Sequence, residues 1–133
     1  MKNANKTITT KNNIKTFKPI NFSSKFDNFG LTLFIDEEFL EYLALDDNEN
    51  IEAAHCVGGI TASKASGETC IALRKWDGTP EDYATLSHEI FHATCRRFEH
   101  SGMDKTFNEE AFAYSISEMT TFFLNKLNKQ LKK

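Results

Sequence analysis

Between Thr79 and Gly102 the chain carries both the start and the stop of one long helix with an apolar side, and so short a chain must fold against that side. Thr79 offers an N-cap hydroxyl, Pro80 suits the first helical position, and Glu81 and Asp82 place acids where the helix dipole favours them. Tyr83, Leu86, Ile90, Ala93, Thr94 and Phe98 then recur at helical spacing on one broad side. Gly102 is the residue type that lets a chain leave a helix through positive φ.

The opposite side of this helix carries the string His88-Glu89-Ile90-Phe91-His92. Two histidines four positions apart leave a helix on the same face, one turn from each other, and can grip one Zn²⁺. Glu89 lies about 100° further round. That offset makes it a poor third ligand but lets it reach an attacking water as general base. Ala84, Thr85 and Cys95 share the histidine side, so a metal there has small neighbours and room for a ligand.

Catalytic zinc generally takes three protein ligands, so a third belongs elsewhere. Phe98 stands where a metzincin would have its third histidine, or an aspartate variant its acid, and this excludes both classes. His100 is a weaker candidate at a helix end. Glu109 and Glu110 open what reads as the last long helix. Thr106-Phe107-Asn108-Glu109 has the form of a capping box, which occupies Glu109 and leaves Glu110 as the preferred ligand. Glu110 shares a polar face with Tyr114, Ser117 and Thr121, while Phe112, Ile116, Met119, Phe123 and Leu127 form the apolar face. Glu109 lies nearer that apolar stripe, and a metal held deep in the core favours it instead.

With Glu110-Ala111-Phe112-Ala113-Tyr114 downstream of the histidine string, the sequence resembles the gluzincins, the thermolysin-like zinc peptidases. It also looks like the small zinc-peptidase-like proteins encoded by tailed bacteriophages and prophages. The resemblance spans about residues 52 to 125 and is specific only in these two strings. It implies a zincin-like fold, a Zn²⁺ cofactor held by His88, His92 and Glu110, Glu89 as catalytic base, and a peptide or protein substrate. It further implies that a sheet edge beside the metal helix takes the substrate as an added strand, the arm from Thr69 to Trp76 being the candidate. The family often has Asp four residues after the ligand Glu, and Tyr114 stands there instead. Its phenol is a candidate to orient a ligand or, as a catalytic residue, to stabilise an oxyanion, a role for which His100 is the other candidate.

The remaining chain reads as a compact α+β domain. Leu31 to Ile35 reads as a strand, Asp36 as the N-cap of a helix over Glu37 to Leu45, and residues 53–62 and 68–76 as a hairpin turning at Lys64-Ala65-Ser66-Gly67. Gly58-Gly59 within the first hairpin strand signals a bulge or a close backbone approach. Residues 1–20 read as a flexible basic arm, with five lysines and no acid in residues 1–18, and residues 21–133 as one zincin-like domain. A net charge of only −3 advertises no nucleic acid, and no apolar run suggests a membrane span or signal peptide. Cys56, Cys70 and Cys95 lack metal-binding spacing and read as free thiols of a reducing compartment, the host cytoplasm for a phage-encoded protein. Trp76 reads as a packing anchor, Phe91 as a wall of a substrate pocket, and Arg96 and Arg97 as candidates for a substrate carboxylate or as helix-end cations. The rival to a peptidase is a non-catalytic protein that binds a viral or host partner and closes a structural zinc site with His55 or Cys95.

Overall fold

The computed structural model describes residues 16–48, 58–63, 68–102 and 108–132. His55 and Cys56, the hairpin turn at 64–67 and most of the stretch assigned to the basic arm lie outside them. The described elements are β1 (Ile20–Ser23), β2 (Gly30–Ile35), α1 (Glu37–Asn48), β3 (Gly59–Ser63), β4 (Thr69–Leu73), α2 (Pro80–Ser101) and α3 (Glu109–Lys132). They make an α+β fold with one mixed four-stranded sheet in the order β1-β2-β4-β3. β1 pairs antiparallel with β2, β2 parallel with β4, and β3 antiparallel with β4.

Alternation along the strands sends side chains to two layers. Leu31 and Leu33 of β2 and Ile71 and Leu73 of β4 pack against Leu86, Ile90 and Ala93 of α2 and Met119, Phe123 and Leu127 of α3 in one buried cluster. Cys70 and Ala72 alternate with that set and are fully buried on the other face, where α1 contributes buried Leu40 and Ala44. With helices on both faces, all five residues of β4 are buried, as a central strand requires.

Local chemistry explains each helix start. Asp36 Oδ1 accepts from the Phe39 N–H at 2.9 Å, the N-cap bond expected of it. Thr79 caps α2: its hydroxyl accepts from Asp82 N–H, Asp82 returns a carboxylate oxygen to Thr79 N–H, and Pro80 follows at the first position. Burial opposes ionisation of Asp82, but hydrogen bonds from Lys75 and from the Asp77 and Thr79 N–H groups outweigh it and lower its pKa. Gly102 closes α2 at φ 76°, the left-handed conformation expected there. Trp76 is buried and stacks on Tyr83 at 5.3 Å, so it anchors the start of α2.

Two expectations require correction. Residues before 21 belong to the fold: Phe17 packs on the core, and Lys18 exchanges two hydrogen bonds with the Gln130 side chain, so α3 holds the lead-in to β1. The hairpin arm that includes Thr69 is a buried inner strand of the sheet, and among the described residues β3 is the edge beside α2. The capping box read at Thr106-Glu109 lies partly outside the described residues, and α3 is described from Glu109, with the Phe112 N–H bonded to the Asn108 carbonyl at 2.9 Å.

Arg97 ties the layers together from the last turns of α2. Its guanidinium forks onto Asp27 at 2.8 and 3.3 Å, reaches Ser115 at 2.9 Å and Glu118 at 3.1 Å, and lies over the rings of Phe22 and Phe29. This buried cation is therefore committed to the fold and is withdrawn from the candidates for a substrate carboxylate. The hydrogen bond to Arg97 holds the Asp27 pKa at about 2, against 3.8 unperturbed, although burial pushes the other way. Because the folded pKa is depressed, the stabilisation is present above about pH 4 and is lost as pH falls towards 2. The expected loss is about 2 kcal/mol. Urea unfolding at pH 6, 4 and 2.5 measures it, and Asp27→Asn should flatten that segment of the profile.

Candidate functional site

Helical geometry brings three of the expected residues together. His88 Nε2 and His92 Nε2 lie 3.2 Å apart with the rings inclined at 74°, and both side chains are exposed. Glu89 points about 100° away, towards β3, and is only 6% exposed. The Thr61 hydroxyl lies 2.7 Å from Glu89 Oε1 and 3.1 Å from the Glu89 carbonyl, so β3 pins this carboxylate beside the histidines. Sequence reading missed Thr61, because only the pairing of β3 with β4 shows which β3 residues face α2.

The approach of β3 to α2 depends on glycine. A Cβ at Gly59 would lie 2.8 Å from Leu73 Cδ2, 3.0 Å from Thr85 Cγ2 and 3.1 Å from Glu89 Cγ, closer than carbon atoms pack. The glycine pair thus marks a close backbone approach, one of its two expected meanings. Gly59→Ala should cost about 1–3 kcal/mol in thermal unfolding. It should also displace Glu89 from Thr61, which a crystal structure of the variant would reveal. An unchanged melting temperature would contradict this packing.

Gly58, Gly59, Ala84, Thr85, His88 and Glu89 line one recess, matching the small-residue surroundings expected of the histidine side. A larger cleft of about 790 Å³ begins at His92 and runs along α2 past Cys95, Arg96 and Glu99 towards His100. Phe91 lies beside the histidines without lining either recess: it is 48% exposed, 6.0 Å from the His92 ring and 5.5 Å from Phe112.

The α3 candidates are not equivalent. Among the described residues, no third His, Cys, Asp or Glu joins the two histidines in a group able to hold a metal ion. Glu109 and Glu110 are both exposed at the first turn of α3. Phe112 meets Phe91 and Phe98 of α2, and Ser115, Met119, Phe123 and Leu127 continue the buried side of α3. On a helical wheel Glu109 falls about 60° from the centre of that side and Glu110 about 160° from it. Tyr114 is 70% exposed and opens on a different recess, with Phe26, Asp27, Arg97 and Phe98. That recess shares no residue with either one at the histidines, so the structure does not bring Tyr114 to Glu89.

The pair of histidine nitrogens fits a metal. Two imidazole nitrogens each about 2.05 Å from a tetrahedral ion stand about 3.3 Å apart, close to the separation found. Without a metal the same contact needs one ring to donate and the other to accept, which ties their tautomers together. Among the described residues no helix is long and apolar enough to cross a membrane. Comparison of this chain with protein-family models, with curated proteins and with solved structures finds no match.

Proposed function

We propose that this chain is a zincin-like, zinc-dependent metallopeptidase that hydrolyses peptide bonds of a peptide or protein substrate. The observation that carries the reading is the 3.2 Å convergence of His88 Nε2 and His92 Nε2 beside a buried Glu89 carboxylate held by Thr61. His88 and His92 are two ligands, and a carboxylate from the first turn of α3 is the third. The helical wheel supports Glu109 over Glu110, since Glu109 lies nearer the side of α3 that faces α2. A zinc ion held there supplies Lewis acidity, polarising a peptide carbonyl and easing deprotonation of water.

The chain's own residues do the rest. Glu89 takes the proton from the attacking water and delivers it to the leaving amine. The Thr61 hydroxyl fixes Oε1 and leaves Oε2 for that transfer. Phe91 gives an apolar wall on one side of the histidines, while β3 offers an extended peptide an edge on the other. Tyr114 has no part in this reading, because it opens on another recess.

Metal analysis tests the ligands. The wild type should bind one zinc per chain, His88→Ala and His92→Ala should lose it, and Glu109→Ala should lose more affinity than Glu110→Ala. Zinc retained by the His88→Ala/His92→Ala double variant would end the proposal. If Glu110→Ala proves the weaker binder of the two, the original assignment of Glu110 stands.

A further inference from the structure

The edge of β3 is partly occupied, and its occupant is charged. The Arg74 N–H donates to the Gly58 carbonyl at 3.0 Å, and Gly59 stands opposite Leu73. In an antiparallel pair, hydrogen-bonded and non-hydrogen-bonded positions alternate. Gly58, Ile60 and Ala62 therefore turn their backbone groups to β4, while Gly59, Thr61 and Ser63 turn theirs outward. One of these outward groups is already engaged: Arg96 Nη2 lies 3.4 Å from the Thr61 carbonyl, and Nη1 donates to Ser63 Oγ at 2.7 Å. An extended peptide added to this edge must meet that guanidinium.

Arg96 differs from the other two arginines. Arg74 holds Glu37 and Glu41, and Arg97 holds Asp27 and Glu118. The two hydrogen bonds of Arg96 go to neutral oxygens. It follows Glu89 by seven residues, two helical turns, and so returns to the same side of α2, facing β3. Its head borders the 790 Å³ cleft that begins at His92, together with Ser63, Thr69, Cys95 and Glu99. Exchanging a long contact with a neutral carbonyl for a forked contact with a carboxylate is favourable for a guanidinium.

We propose that Arg96 is a specificity residue of this site, selecting peptides with an acidic side chain on the N-terminal side of the bond to be cut. The inference rests on the peptidase reading for the bond and on Arg96 itself for the acid. Arg96 lies about 9 Å along α2 from the midpoint of the histidines, the span of about two or three residues of extended peptide. β3 runs in the same direction as α2, since Gly59 meets Thr85 and Ser63 meets Arg96. A strand added antiparallel to β3 therefore brings its N-terminal side to Arg96. Glu68 and Glu99 line the same cleft, so the acid is favoured at this one position and repelled beyond it.

The test uses the zinc-loaded protein on a mixture of randomised decapeptides, with cleavage sites read by mass spectrometry. Asp or Glu should be enriched at a single position two or three residues before the cut. A matched Glu peptide should exceed its Gln counterpart about ten- to a hundred-fold in kcat/KM, mostly through KM. Arg96→Gln should abolish the preference while leaving cleavage of the Gln peptide intact, and Arg96→Glu should turn it towards Lys and Arg. In parallel, binding of the same Glu and Gln peptides to zinc-loaded Glu89→Gln is followed by fluorescence anisotropy. Cleavage without acid preference, or a preference that survives Arg96→Gln, overturns the role of Arg96 alone. Acid-selective binding that needs Arg96, without cleavage by the wild type, upholds Arg96 and overturns the peptidase. Neither binding nor cleavage overturns both.

Discussion

Glu89→Gln is expected to lower peptide hydrolysis by about two to four orders of magnitude, the usual contribution of a general base, while zinc content stays at the wild-type level. The amide is nearly isosteric, and its oxygen still accepts from the Thr61 hydroxyl, which lies 2.7 Å from Oε1. Fold and ligands are thereby preserved, and only the capacity to take a proton is removed. Thr61→Val should have a smaller effect, releasing the carboxylate without neutralising it. Single-turnover assays on protein of measured zinc content distinguish lost chemistry from lost metal. Wild-type turnover in Glu89→Gln would sink the mechanism, and zinc lost along with activity would assign Glu89 to the metal instead.

Arg97→Ala should destabilise the fold by about 3–5 kcal/mol, the cost of breaking a buried ion pair by removing one partner. The guanidinium is 8% exposed and Asp27 18% exposed, so the carboxylate left behind is poorly solvated. Ser115 and the rings of Phe22 and Phe29 lose contacts as well. Denaturant unfolding monitored by Trp76 fluorescence gives the number. A loss below about 1 kcal/mol would place the pair with exposed salt bridges, which contribute little. Arg97→Met should recover part of the loss, since its side chain refills the space between the two rings.

Local signals were legible wherever neighbours in sequence decide the outcome. Thr79, Pro80 and Gly102 mark the ends of α2, and spacing alone placed His88 and His92 on one face. The buried stripe of α3, with Met119, Phe123 and Leu127, also followed from period, because an amphipathic helix has one way to bury it. Glu109 and Glu110 stand one helical step apart, and which of them approaches the histidines depends on how α3 lies against α2, a long-range contact that local signals do not carry.

The sequence by itself therefore determined the two-histidine face, its glutamate and the helix that presents them, since these depend on rotation of 100° per residue about one axis. Only tertiary structure decided what surrounds them. Strand order is a long-range property, and it put β4 inside the sheet and β3 outermost among the described strands, which set Thr61 on Glu89 and Arg96 on β3. Tertiary packing likewise gave two adjacent arginines, one helical step of 100° apart, different surroundings: Arg97 meets Asp27 and Ser115 in the core, and Arg96 borders the cleft.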